Sequence, residues 1–495
     1  MTKTIAQVPI VNAQASASRS LFSWAGFATC ITVGAVVYGL LIWFHVIAPV
    51  PWSDEGGYIN MLNAFLKSGQ MDLMHWSQPT YLGVLPYALP LHILGNDPSY
   101  ALSGVLASIT TFVALSILTS RSGDYRAATL LPLTLFAFPE FVHTAVTAMS
   151  DQYFLAYLTA SLILLSADGR TTSKYQMVGL AACFGLAALT RAHALILPLC
   201  ALVGCGWNQS KSERTSLIVL FCVVPVTFVL ATMLTTNRIP LTEITSILPI
   251  LHGELALFDV RAMILAIFDT AFALLPASMW LANKHKLGKP DFIVTAVAFL
   301  LALNSFIKGH AITSVCDLPN ALTLVLIPVA CGLLTNVLRN GPIDNRMYRT
   351  SLLFAAGTIV VMPIMPHPMS RHALPALVSI LFALAIGRPR AQFTRSFFIA
   401  AAGLSLMIGN NLISNYTQRV SLQKDWDASI DGVKKGIPAS KIYAGWNWFC
   451  FNQLKPGQIE DYDYQKEYLK QKELAPYVVS NGVLKPKTIG KTSSD

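Results

Sequence analysis

The sequence predicts an all-α polytopic membrane protein. Hydrophobic residues make up 54% of the chain and charged residues only 12%, and the mean hydropathy is +0.54. A soluble domain carries about 25% charged residues. The long apolar runs do not alternate with polar residues, as the strands of an outer-membrane barrel do. The chain is therefore expected to cross the membrane as helices.

The apolar segments predict about thirteen transmembrane helices, because roughly 20 apolar residues cross a bilayer. The run 80–95 is short and contains two prolines, so we interpret it as a re-entrant or interfacial piece of the first outer loop, residues 49–97. The predicted spans are 22–48, 98–119, 127–146, 152–167, 176–189, 194–207, 217–235, 260–281, 292–307, 319–338, 351–365, 373–387 and 396–414.

The distribution of Lys and Arg predicts the orientation of these spans, since basic residues mark cytoplasmic loops. Every second loop is basic, and those loops also account for the net charge of +10, so no nucleic-acid partner is expected. The assignment requires 176–189 and 194–207 to form a helical hairpin that turns at Thr190–His193. The cytoplasmic loops contain Arg121, Arg126, Arg170, Lys174, Lys211, Arg214, Lys284, Lys286, Lys289, Arg339, Arg346, Arg349, Arg388, Arg390 and Arg395.

Three regions follow from this topology. Residues 1–20 form a cytoplasmic tail, residues 21–415 form the transmembrane domain, and the polar residues 416–495 form an extracytoplasmic region. The first span is too long for a signal-peptide core and is expected to be an uncleaved anchor. These features predict a protein of the bacterial inner (plasma) membrane. Pairing of Cys316 with Cys450, in two outer segments, is left open, because sequence does not fix disulfide connectivity.

Ionisable residues collect at helix ends on the predicted outer side. One acid at a helix N-terminus stabilises the helix dipole, and one Arg at an interface often only extends to water. Acids, histidines and scarce arginines at the same helix ends indicate instead a shared polar cavity. These candidate site residues are Asp54, Glu55, Glu140, His143, Asp151, Arg191, His193, His367, Arg371 and His372.

Acids and arginines on the outer face suit one kind of chemistry. A sugar transferred outside the cytoplasm arrives on a lipid phosphate, because nucleotide sugars stay inside. The departing phosphate needs cations to hold its charge. The acceptor hydroxyl needs a base. The sequence therefore predicts an extracytoplasmic glycosyltransferase with a polyprenyl-phosphate sugar donor.

Four motifs in order resemble those of the GT-C membrane glycosyltransferases, in the branch of the protein O-mannosyltransferases and the lipid A aminoarabinose transferase. They are Asp54-Glu55 after the first span, Asp151 at the start of the fourth, Gly185–Arg191 followed by Pro198, and Ser370–Pro375. The resemblance covers roughly residues 20–415. It implies a GT-C-like fold, catalysis by Asp54 as base with Glu55 assisting, and a second acidic site at Asp151. Ala192-His193 and His372 depart from the motifs of the relatives.

Several points stay open at this stage. A divalent metal between Asp54 and Asp151 has no ligand spacing to support it, and no other cofactor is expected. The acceptor is a glycan, a lipid or a protein, and membrane lipids surround the chain. A lipid-linked-glycan flippase or other transporter is one alternative, although its charges should lie in mid-span. A surface-polysaccharide polymerase or ligase is another, although it should have one dominant outer loop.

Overall fold

The protein is described here by a computed structural model. It describes residues 22–51, 55–68, 85–87, 92–93, 102–166, 174–205, 215, 218–219, 226, 230, 260–282, 287–308, 312–313, 320–364, 370–387, 394–453 and 464–487. Of that part of the chain, 85% is helical. Asp54, His367, Cys316, the side chain of Cys450 and nearly all of the predicted span 217–235 lie outside it.

The helices follow the predicted apolar segments closely at their starts. In chain order they are α1 (Trp24–Ile47), α2 (Glu55–Ser68), α3 (Leu102–Ser120), α4 (Tyr125–Leu133), α5 (Pro139–Ala145), α6 (Ser150–Ser166), α7 (Lys174–Thr190), α8 (Ile196–Cys205), α9 (Val260–Ala273), α10 (Leu275–Leu281), α11 (Lys289–Ile307), α12 (Asn320–Arg339), α13 (Arg346–Val361), α14 (Leu374–Gly387), α15 (Thr394–Lys434), α16 (Gly445–Gln453) and α17 (Tyr464–Leu474). Short 3-10 turns occupy Leu85–Tyr87, Thr134–Ala137, Ala192–Leu195, Met362–Ile364, Ser370–Ala373 and Ala439–Lys441.

Among the described residues, five helices are long and apolar enough to cross a membrane, and seven are if each of two bent pairs counts as one span. This agrees with an integral, polytopic helical protein. The count of about thirteen spans is not confirmed. Several predicted spans are shorter or broken in the structure, so they do not meet the length of about 20 residues.

The prediction of one helix over 127–146 is wrong, and its prolines explain why. Pro132 lies inside α4, and Pro139 begins α5. Proline removes a backbone donor and is accommodated best in the first turn of a helix. The chain therefore passes through α4, a 3-10 turn and α5 before it bends sharply into α6. The predicted span 260–281 is likewise bent by 58° between α9 and α10, where Pro276 lies in the first turn of α10.

Helix α15 continues through residue 416, where the change in composition predicted a boundary. It ends at Lys434, just before Gly436, whose φ of +87° suits glycine best. The predicted all-α class describes the helical bundle, but the C-terminal region also contains strands. It contains a three-stranded sheet of β1 (Ile442–Tyr443), β2 (Tyr477–Ser480) and β3 (Val483–Pro486). Strand β1 pairs with β2 in parallel, and β2 pairs with β3 antiparallel.

Helix α14 lies at the centre of the bundle, since every residue from Leu374 to Ala385 is buried. It packs against α3, α6 and α13, while α1 packs against α3 and α4, and α6 packs against α7. Helix α15 crosses α1, α5 and α10, and its far half carries the small sheet. Helix α16 of the C-terminal region packs against α2.

Candidate functional site

A buried corner joins α5 to α6 and shapes the candidate site. The two helices meet at an angle of 107°, and four residues make the bend: Val146, Thr147, Ala148 and Met149, here called the 146–149 corner. All four are 0% exposed. A bend of this kind opens the helical hydrogen-bond ladder, so its backbone groups need other partners in buried surroundings.

Three side chains from distant parts of the chain supply those partners. The carboxylate Oε1 of Glu55 accepts the N–H of Ala148 at 2.7 Å. The Tyr87 hydroxyl lies 3.2 Å from the carbonyl oxygen of Thr147 and 3.1 Å from that of Met149. Burial, together with Tyr153 and the carboxylates of Glu55 and Asp151, raises the pKa of Tyr87 well above its usual range, so the hydroxyl keeps the proton that it donates.

The third partner is Arg419, on α15. Its Nη2 donates to the carbonyl oxygen of Val146 at 3.2 Å, and its Nη1 lies 3.2 Å from Nδ1 of His45, near the end of α1. Arg419 and Glu55 also attract each other electrostatically. The corner is therefore held by residues from α2, the Leu85–Tyr87 turn and α15.

Asp151 lies in the first turn of α6, directly after the corner, and forms an ion pair with Arg191. The Nη2 of Arg191 donates to Oδ1 of Asp151 at 2.8 Å, and the two side chains are 11% and 6% exposed. Within the described residues, Oδ2 of Asp151 and Nε of Arg191 are buried without hydrogen-bond partners. The pair therefore keeps one acceptor and one donor that a ligand could satisfy.

Arg371 and His372 form part of the Ser370–Ala373 turn, and both are buried. That turn contacts α5, on which Glu140 and His143 lie, and it also contacts α9. The sequence motif before α14 is thus brought against α5, one of the two helices that meet at the corner.

Asp269 was overlooked at the sequence level. It lies within α9, is 1% exposed and accepts a hydrogen bond from the Thr313 hydroxyl at 2.7 Å. An acid in the middle of an apolar span is itself a signal, because charged residues at membrane depth are costly and usually functional. Asp269 belongs to the helix that packs against the Ser370–Ala373 turn.

A polar stripe on α15 was also overlooked. Asn411, Asn415 and Arg419 recur every fourth residue, so they share one face of the helix. The Nδ2 of Asn411 donates to the carbonyl oxygen of Phe136 at 3.0 Å, and Nδ2 of Asn415 lies 2.7 Å from Nδ1 of His143. All three side chains of the stripe are at least 98% buried. The four-residue spacing was the available signal.

The predicted site residues are therefore brought together in part. Glu55, Asp151 and Arg191 lie at the corner, and His143 contacts the polar stripe. His193 lies in the Ala192–Leu195 turn after Arg191, and its side chain is outside the described part. Asp54 and His367 are outside it as well, so their positions stay predictions. Among described residues, no group of three or more His, Cys, Asp or Glu could hold a metal ion.

No protein-family model matches this chain, and no curated protein matches it. The solved structures that resemble it include two of one protein. The structure of ArnT from Cupriavidus metallidurans bound to undecaprenyl phosphate is 14% identical, with 91% of this chain and 89% of that chain covered and a TM-score of 0.45. The same protein in the apo state is 14% identical, with 92% and 89% covered and a TM-score of 0.42. ArnT is the lipid A aminoarabinose transferase, a member of the GT-C group that the sequence motifs resemble.

Proposed function

We propose that this chain is an integral membrane glycosyltransferase of the GT-C type. It transfers a sugar from a polyprenyl-phosphate donor to an acceptor hydroxyl on the extracytoplasmic face. The observation that carries the proposal is the Asp151–Arg191 pair beside the 146–149 corner. An acid and a guanidinium held 2.8 Å apart at a helix end, each with a further buried polar atom to satisfy, fit a ligand that offers both a phosphate oxygen and a hydroxyl.

The proposed roles follow from what each group can do. Asp151 fixes Arg191 through one Nη. The remaining N–H groups of Arg191 are therefore already oriented to bind a phosphate oxygen, which lowers the entropy cost of binding. Arg371 is proposed as the second cation for the departing phosphate, since developing negative charge there is stabilised by preorganised donors. His193, His367 and His372 are proposed to line the same donor site.

Asp54 is proposed as the base that takes the proton of the acceptor hydroxyl. It directly precedes Glu55, whose carboxylate is used by the backbone of Ala148. That hydrogen bond favours Asp54 over Glu55 for the chemical step, and it gives Glu55 the supporting role. A base on the acceptor side and cations on the phosphate side favour a single displacement, which inverts the anomeric carbon.

Undecaprenyl phosphate is the lipid carrier chosen for the first assay, because ArnT from Cupriavidus metallidurans has been solved with that lipid bound. A panel of radiolabelled undecaprenyl-phosphate sugars is incubated with the purified protein and candidate glycan, lipid and protein acceptors. We expect label to move to one acceptor class while undecaprenyl phosphate is released. Transport of the intact lipid-linked sugar across the vesicle membrane, without release of undecaprenyl phosphate, would contradict the proposal and favour a flippase.

The arginine variants make the assay specific to the site. Arg191→Ala and Arg371→Ala should reduce donor binding or turnover far more than Lys67→Ala, which changes an exposed cation on α2. Lys at position 191 or 371 should restore only part of the loss, because a point charge lacks the paired donors of a guanidinium. Full activity in both alanine variants would place the phosphate elsewhere.

A further inference from the structure

Arg419 is buried, although it lies in the polar segment 416–495 that the sequence assigned to an extracytoplasmic region. Its side chain is 0% exposed and is among the largest fully buried side chains of the described part. A guanidinium removed from water is costly unless hydrogen bonds and charges compensate for its lost hydration. The contacts of Arg419 therefore indicate what the chain gains by burying it.

Those contacts converge on the backbone that precedes Asp151. Arg419 donates to the carbonyl oxygen of Val146, the first residue of the corner. It also contacts His45 at the end of α1 and attracts the carboxylate of Glu55, which accepts the N–H of Ala148. The cation thus acts on the corner twice, once directly and once through Glu55.

The corner determines where α6 begins. Only Met149 and Ser150 separate Ala148 from Asp151, and the 107° bend leaves no continuous helix to fix the direction of α6 from α5. The direction of α6 and the position of the Asp151 carboxylate hence depend on the side chains that hold the corner. Loss of one hydrogen bond there leaves a buried backbone group unsatisfied.

The polar stripe sets Arg419 in register with the corner. Asn411 and Asn415 bind Phe136 and His143, which lie ten and three residues before Val146. Three successive turns of α15 therefore follow the segment 136–146, and Arg419 is the last of the three. A one-residue rotation of α15 would break all three contacts together.

We propose that Arg419 is a positioning residue for Asp151, acting through the 146–149 corner. It lies in α15, which leads into the C-terminal region, and it touches the corner rather than the Asp151–Arg191 pair. The proposal rests on the proposed function for its effect on catalysis. Its structural part, that Arg419 keeps the corner closed, stands apart from the reaction.

The first readout does not depend on sugar transfer. Ser150 directly follows the corner and is 0% exposed. Ser150→Cys therefore places a buried thiol next to the corner, with little change in side-chain volume. Labelling by a hydrophilic maleimide, quantified on the peptide that contains residue 150, reports how often the corner opens. We expect Arg419→Gln to raise the labelling rate severalfold. Arg419→Lys should raise it less, because Lys keeps the positive charge. It should still raise it above the wild-type rate, because Lys cannot hold Val146 and His45 with one planar fork.

The second readout is kinetic. We expect Arg419→Gln to lower kcat by about 10²-fold, since small misplacements of catalytic groups cost that much, while KM for the donor changes little. Because Arg419 acts partly through Glu55, Glu55→Gln combined with Arg419→Gln should cost less than the sum of the two single changes. The control is Arg339→Gln, which breaks the ion pair between the last residue of α12 and Asp291 in the first turn of α11 and should leave labelling and kcat unchanged.

The outcomes separate the two claims. Unchanged labelling and unchanged kcat in Arg419→Gln would overturn the inference and leave the proposed function intact. If labelling increases in Arg419→Gln and even the wild-type protein transfers no sugar, the result would support the inference and count against the proposed function. Should Arg419→Gln fail to accumulate, Arg419→Lys decides in its place, and wild-type labelling and kcat in that variant would overturn the inference.

Discussion

The Nη2 of Arg191 lies 2.8 Å from Oδ1 of Asp151, although 40 residues separate the two along the chain. This ion pair joins the start of α6 to the end of α7. It converts two sequence candidates with separate predicted roles, a phosphate-binding cation and a second acid, into one unit. A change at either residue therefore affects the other.

The first prediction separates a structural role of this pair from a functional one. Arg191→Gln leaves the 5% exposed Asp151 as a buried charge without its cation, so it should lower the stability by about 3–5 kcal/mol. Adding Asp151→Asn should restore much of that stability, because the unpaired charge is removed. Thermal unfolding in detergent measures this effect.

Activity should behave differently from stability in these variants. If the pair binds the donor, the stable double variant should stay inactive in sugar transfer, since both the cation and the acid are lost. Recovery of activity along with stability would show that the pair only holds α6 and α7 together.

The second prediction concerns the packing of the corner. A Cβ at Gly104 would lie 2.7 Å from the Tyr87 hydroxyl and 3.0 Å from the carbonyl oxygen of Thr147. Gly104→Ala should therefore push Tyr87 away from the corner, with a cost of about 1–3 kcal/mol in stability and a lower kcat.

The matched control for this change is Gly39→Ala, in α1. In the described part of the chain, no atom beyond the two neighbouring residues and the backbone of the same helix turn lies within 4 Å of a Cβ at Gly39, so the extra methyl should leave kcat unchanged. It should also stabilise the helix slightly, since alanine favours helices over glycine by about 1 kcal/mol. Equal effects at Gly39 and Gly104 would contradict the special role of the corner.

The third prediction concerns orientation. A reporter fused after His193 should indicate the outer side, and one fused after Lys211 should indicate the cytoplasm, because α7 and α8 are expected to form a hairpin. A reporter after Lys211 on the outer side would invert the later loops and remove Arg371 from the proposed site. Paired reporters, one active only in the cytoplasm and one only outside, measure both positions.

The fourth prediction concerns stereochemistry. A retaining transferase needs a carboxylate that attacks the sugar carbon from the face opposite the acceptor. Glu55 binds the backbone of Ala148 and Asp151 binds Arg191, so neither is assigned that attack. The product should carry the inverted anomer, which NMR of donor and product determines. A trapped glycosyl ester on any carboxylate would contradict a single displacement.

The sequence was sufficient to predict the membrane class, and it singled out Glu55, Asp151 and Arg191, which the structure brings to the corner. Apolar length determines which segments can lie in a bilayer, and charged residues are rare enough at helix ends that Asp151 and Arg191 stand out. It did not predict the corner, since Pro132 and Pro139 were read as part of a continuous span. A sharp bend depends on partners from remote segments, and Glu55 gives no local sign that it will bind Ala148.

The polar stripe illustrates the other limit. The polar composition after residue 416 indicated a separate region, whereas Arg419 is buried by its contacts with Val146 and His45. Composition averages over a helix and hides the four-residue spacing that places Asn411, Asn415 and Arg419 on one face. The four-residue periodicity of polar residues, continued past the end of the last predicted span, would have indicated a buried polar face of the helix.

The central claim is sugar transfer with Asp54 as base, and Asp54→Asn tests it most directly. The change keeps the size of the side chain and removes its ability to take a proton. Binding of the undecaprenyl-phosphate sugar and single-turnover transfer are measured on wild type and variant, with Lys67→Ala as control. The account predicts that donor binding persists while the transfer rate falls by about 10²–10⁴-fold. Near-normal transfer by Asp54→Asn would contradict it.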